Sequence, residues 1–209
     1  SSDISNVALR WYHFITDVDM AGMKVQISRI GYTGELGYEI MLPVDSAQAF
    51  WDALFKVGEP LGLLPAGAAC VMMCRIEAGL IMGEVEYDHT MTPYECRMAW
   101  SVDLNKDNFH GKDALIEAQK NPSLNIVSVI LPGEGEYDGV ELMDNNKKVG
   151  IVTMAIPSPY LDGQFLGLAR INRENSSVGN RLDLSMESDG QAEIVATPVY
   201  DPERVRSRS

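Results

Sequence analysis

Of the 209 residues, Glu39 is the side chain best placed to do chemistry. It stands in Tyr38-Glu39-Ile40-Met41-Leu42, an apolar run two positions beyond a glycine-rich turn. A carboxylate offers two coplanar acceptors, and in a pocket these would take two parallel N–H donors from a flat heterocycle, such as a pterin or a guanine-like edge. The same pattern also describes a solvated side chain on the polar face of a strand. The residues alone leave both readings open. Trp100 closes Thr92-Pro93-Tyr94-Glu95-Cys96-Arg97-Met98-Ala99-Trp100, and its flat apolar surface suits either a core position or a ligand platform. Glu84, Glu86 and Asp88 form a carboxylate cluster, expected in a solvated loop. Cys70, Cys74 and Cys96 are odd in number, and His13, His89 and His110 are scattered. No metal-type spacing results, and the cysteines are expected as small buried residues in a reducing compartment.

Signatures for other chemistry are absent. No loop ends in Gly-Lys-Ser/Thr, and neither a nucleophile elbow nor a dinucleotide fingerprint occurs. Gly31-Tyr32-Thr33-Gly34-Glu35-Leu36-Gly37 has three glycines in seven residues, but it joins strand to strand. It therefore lacks the helix N-terminus that would bind phosphate.

The elements around these residues predict an α+β chain. Val25 and Ile27 alternate with Lys24, Gln26 and Ser28, a strand pattern. Tyr38–Leu42 reads as a second strand, pairing antiparallel with the first and setting Glu39 and Met41 opposite Tyr38, Ile40 and Leu42. Asp45 or Ser46 can cap a helix to about Val57, with Ala47, Phe50, Trp51 and Leu54 as its apolar stripe. A second helix over 66–80 is predicted to be buried nearly all round and stopped by Gly79; its charges, Arg75 and Glu77, need partners. A third covers Lys112 to Gln119. After Pro122 come short strand-like runs at 126–131, 140–143, 149–154, 165–171, 181–184 and 192–196, which suggest a small antiparallel barrel or sandwich. The expected organisation is 1–122 and 123–209. With Lys+Arg 17 against Asp+Glu 30 the formal charge is -13, so the summed field repels nucleic acid and anionic membrane. Neither is an expected partner, and a cytoplasmic location is expected.

The run Arg29-Ile30-Gly31-Tyr32-Thr33-Gly34-Glu35-Leu36-Gly37-Tyr38-Glu39-Ile40 closely resembles a motif of the glycine-cleavage T-protein (aminomethyltransferase) family. Arg75-Ile76-Glu77-Ala78-Gly79, Thr92-Pro93, Trp100-Ser101-Val102 and Phe109-His110-Gly111-Lys112 follow in that family's order. Ser158-Pro159 and Pro198-Val199-Tyr200-Asp201-Pro202 resemble its C-terminal barrel domain. The resemblance implies a partial folate-binding region followed by a barrel, and tetrahydrofolate as the cofactor that receives a one-carbon unit from a small-molecule donor. It places Glu39 on the pterin edge, Tyr32 and Trp100 beside the cofactor, Tyr12 among aromatics lining the folate cavity, and Arg204 near the folate.

Two departures qualify this. Where T-proteins carry an Arg-Asp pair, this chain has Val71-Met72, which removes a cation for the anionic cofactor and resembles the demethylating and methylamine-oxidising branches. The family's catalytic aspartate belongs to an N-terminal half with no counterpart here, so no catalytic residue is assigned. The chain is expected to be a C-terminal fragment, inactive alone, that forms a homodimer or associates through the missing half. The alternatives are the folate module of a dimethylglycine- or sarcosine-oxidising flavoenzyme and a non-catalytic folate-binding scaffold. The Lys-Gly-Cys-Tyr-x-Gly-Gln-Glu motif of such scaffolds is missing.

Overall fold

A computed structural model describes residues 3–5, 7–185 and 190–208. Two compact units result: Ser1–Cys74 together with Glu203–Ser209, and Arg75–Pro202.

The first unit is built on an antiparallel sheet of β1 (Phe14–Met20), β2 (Met23–Ser28) and β3 (Glu39–Met41), in that order. Ala21 and Gly22, both at positive φ, form the two-residue turn between β1 and β2, the hairpin geometry that matches strand twist. Ile15, Ile27 and Ile40 align across the sheet. Ile27 is fully buried with Val18, Val25, Leu9 and Phe50, and Tyr38, Ile40 and Leu42 pack against them. The expected two faces of the second strand are therefore present. Strand β1 escaped the periodicity reading because its register shifts between Ile15 and Val18, where Asp17 sits at φ 57; a bulge breaks the alternation that marks a strand.

Helix α1 (Ala47–Gly58) follows a 3-10 turn over 44–46, and Ser46 makes no side-chain cap bond. Its apolar stripe is only partly covered: Phe50 is buried, whereas Ala47, Trp51 and Leu54 are exposed. Helix α2 spans Ala68–Glu77, shorter than expected, and its first turn is exposed. Gly79, at φ 62, ends it, with the Leu80 N–H bonded to the Arg75 carbonyl at 2.8 Å.

In the second unit, α3 (Lys112–Lys120) precedes β4 (Leu124–Leu131), β5 (Glu141–Asp144), β6 (Lys147–Pro157), β7 (Phe165–Asn172), β8 (Arg181–Leu184) and β9 (Gln191–Val195). The six strands close into an antiparallel barrel in the order β4-β7-β6-β5-β8-β9, with β9 returning to β4. All six expected runs are strands. Period-two patterning drives the closure: in β8, Leu182 and Leu184 are buried while Arg181 and Asp183 are exposed. A register shift between Val152 and Met154 lets β6 bend around the barrel. Gly150 permits a close backbone approach of β6 to β7, since a Cβ there would lie 2.7 Å from the Arg170 carbonyl oxygen.

Candidate functional site

Strand register brings the candidate carboxylate into a row. Phe14 pairs with Ser28, and Ser28 pairs with Glu39, so these three side chains share the sheet face opposite the isoleucine core. Met41, paired with Gln26, lies on the same face. Phe14 is 62% exposed and Met41 56%, and Glu39 is exposed as well. Among the described residues the Glu39 carboxylate has no hydrogen-bond or ion-pair partner, so both its oxygens are open acceptors. Phe14 was missed in the sequence because the bulged β1 hid the strand that carries it.

The Tyr12 backbone lies just beyond Phe14 at the end of the β1–β2 ladder. Its N–H bonds the Arg29 carbonyl at 3.0 Å, and the Arg29 N–H returns to the His13 carbonyl at 2.9 Å, extending the β1–β2 ladder by one step. Tyr12 has φ 63, a left-handed conformation costly for a residue with a Cβ. Its ring packs edge-on to Trp11 at 4.2 Å between centroids.

Tyr32 is half-buried in the loop between β2 and β3. The loop is pinched at its base, where a Cβ on Gly37 would lie 3.2 Å from the Gly31 Cα. Beyond a hairpin turn, this loop is a ten-residue excursion from the end of β2 to the start of β3. Arg204, at φ 54, is half-buried in the same unit, but it is Arg206 that reaches the loop: its Nε donates to both oxygens of Glu35, at 3.0 and 2.8 Å. Trp100 lies in the other unit, in a 3-10 turn over 99–101, and is 66% exposed. The core role weighed for its indole is thereby excluded.

Three expectations are corrected outside this face. Glu86 is fully buried rather than solvated: it pairs with Arg75 at 2.7 Å and accepts from the Met82 N–H at 2.7 Å and the Thr153 hydroxyl at 3.0 Å. Arg75 thus has the partner its burial demands. Glu77 likewise accepts from the Ser158 hydroxyl at 2.5 Å and the Tyr160 N–H at 3.0 Å. Asp88 pairs with Arg170 at 3.1 Å. Hydrogen bonds from the Thr90 hydroxyl and N–H, with that arginine beside it, hold its carboxyl down to about 2. Cys96 is buried as expected, and that burial pushes its thiol up; Cys70 is exposed, because the first turn of α2 is uncovered.

Comparison with known proteins places the chain. Its residues 1–106 match the model of the GCVT N-terminal domain, and residues 126–201 match the glycine cleavage T-protein C-terminal barrel domain. An aminomethyltransferase of Bacillus subtilis (strain 168) is 36% identical over 203 residues, covering 95% of this chain and 55% of that protein. A trimethylamine-oxide aldolase of Ruegeria pomeroyi is 34% identical over 212 residues, covering 96% of this chain and 26% of that protein. The crystal structure of glycine cleavage system aminomethyltransferase T from Bartonella henselae superposes with a TM-score of 0.76 at 27% identity, covering 84% of this chain and 49% of that one. The chain spans about half the length of the aminomethyltransferases it matches.

Proposed function

Because the chain belongs to the glycine cleavage T-protein (aminomethyltransferase) family, we propose that it serves a tetrahydrofolate-dependent one-carbon transferase by holding the cofactor's pterin head on the open sheet face. The observation that carries this is the Glu39 carboxylate, fixed on β3 and unengaged by any described protein group. An exposed charge with no partner at the start of a strand contributes little to the fold, whereas the ring N–H and amino group along a pterin edge match its two acceptors. When bound, tetrahydrofolate supplies ring nitrogens that accept a one-carbon unit. Glu39 fixes the pterin in its plane. Phe14, on the same face, offers an apolar wall, and Tyr12, Tyr32 and Arg204 are assigned to the cofactor by resemblance. Trp100 is assigned to the same cofactor by resemblance. Orientation of this kind contributes roughly 7–11 kcal/mol to barriers between two held reactants.

On this reading the 209 residues bind the cofactor and do not turn over, because the family's catalytic aspartate has no counterpart among them. Measurable one-carbon transfer to tetrahydrofolate by the purified chain overturns that. Titration with tetrahydrofolate, followed by tryptophan fluorescence, tests the grip itself. Losing a charged hydrogen bond worth about 1.5–3 kcal/mol makes Glu39→Gln bind about ten- to a hundredfold more weakly. Equal affinity removes Glu39 from the site.

A second reading concerns the donor. Val71-Met72 replaces the family's Arg-Asp pair, and the similarity to a trimethylamine-oxide aldolase points the same way, to a methylated amine rather than an aminomethyl group on a carrier. The reading frame upstream of Ser1 discriminates between a transferase half and the module of a larger oxidising enzyme.

A further inference from the structure

We propose that the carboxy-terminal tail is a clamp on the Gly31–Gly37 loop, with Arg206 as a positioning residue acting through Glu35. The consequence for cofactor binding rests on the reading above; the clamp itself does not.

The tail residues Glu203–Ser209 belong to the same compact unit as the loop, although the whole second unit separates them in sequence. Two contacts tie them to it. Arg206 Nε donates to both Glu35 oxygens at 3.0 and 2.8 Å, and the Arg208 guanidinium lies 4.9 Å from the centroid of the Trp11 ring. Glu35 occupies the tip of a loop whose base is already closed by the approach of Gly31 to Gly37. Its own N–H is turned inward to the Thr33 hydroxyl at 3.3 Å. With the base and the tip both held, Tyr32 between them has few ways to move. Trp11 in turn packs on Tyr12 at 4.2 Å, so one tail restrains two of the aromatics assigned to the cofactor, Tyr32 and Tyr12. Glu35 and Arg206 are 40% and 58% exposed, which makes the pair modest in strength and sensitive to salt. The clamp is therefore an adjustable one.

Hydrogen exchange of the loop amides tests this without any ligand. In Arg206→Gln and in Glu35→Gln, exchange across 33–37 is about two- to fivefold faster than in wild type, the range set by an exposed ion pair, while barrel amides are unchanged. The doubly substituted chain is no faster than either single one, and the exchanged pair Arg206→Glu with Glu35→Arg recovers slow exchange. Molar salt brings wild type to the level of the variants. Tetrahydrofolate affinity falls by the same two- to fivefold in Arg206→Gln and returns in the exchanged pair. Unchanged loop exchange in Arg206→Gln overturns the clamp even if Glu39→Gln weakens cofactor binding. A loosened loop with unaltered affinity overturns the positioning role. A loop loosened by Arg206→Gln, alongside a wild-type chain that binds no tetrahydrofolate, upholds the clamp and instead sinks the cofactor reading.

Discussion

In the barrel each strand has two neighbours, and the inward residues Val129, Leu142, Val152 and Ile194 are wholly or almost wholly buried. In the three-stranded unit β1 and β3 are sheet edges, and α1 buries Phe50 while Val57, Leu61 and Leu64 nearby are 68%, 84% and 80% exposed. Both regions are apolar in sequence, yet one has finished covering its core and the other has not. Several large apolar side chains left exposed over 57–64 favour association. We therefore keep association, through a second copy or through a polypeptide supplying the other half found in the relatives, as a proposal for the first unit alone.

The contrast can be broken or sharpened by substitution. The largest effect falls on the buried pair of the second unit. Glu86→Ala strands the Arg75 guanidinium, both side chains being 0% exposed, and costs about 3–5 kcal/mol in urea unfolding followed by far-UV circular dichroism. An equal stability of variant and wild type would mean that the pair is hydrated in solution. Leu168→Ala, at a position with no exposure, opens a cavity beside Ile76 and Leu166 and costs about 2–5 kcal/mol by the same measurement.

Acid titration gives a smaller, graded effect. Burial pushes the Glu95 carboxyl up, but the Thr92 N–H, the Ser123 hydroxyl and N–H, and the Thr92 hydroxyl outweigh it and hold it at about 2. The folded state thus releases this proton more readily than the unfolded chain, whose value is near 4.5. Its contribution is complete above pH 4.5 and is lost as pH falls towards 2. Thermal unfolding of Glu95→Gln should show a shallower fall over that window; a parallel curve excludes Glu95 as a source. The smallest stability change belongs to the uncovered surface: Leu61→Ser with Leu64→Ser shifts stability by no more than about 0.5 kcal/mol per site but lowers any concentration-dependent sedimentation. If sedimentation of wild type is independent of concentration, self-association is not what covers this surface.

The barrel was legible because its strands are short apolar runs set between Pro, Gly and Asn turns, with clean period-two alternation in β8. Asn145 and Asn146, both at positive φ, are where such residues belong. The β2–β3 pairing was legible for the same reason, and so was the outward side of Glu39. What escaped depended on register or tertiary partners. A bulge at Asp17 concealed β1 and with it Phe14. The fate of Glu86 depended on Arg75, eleven positions earlier, and no local pattern distinguishes a carboxylate that finds such a partner from one in water. The incomplete burial of Trp51 and Leu54 was illegible for the opposite reason: a helix stripe states what ought to be covered, not whether a cover is present.

Barrel closure also constrains how this protein is made. The seam joins β4 to β9, with Ser128 opposite Val195, so the first barrel strand to leave the ribosome waits for the last. Until then its edge stays unpaired, exposing an apolar template to neighbouring nascent chains. Pairings so distant along the chain are slow to form; truncation even slightly before residue 195 should therefore yield inclusion bodies rather than a shortened but soluble product.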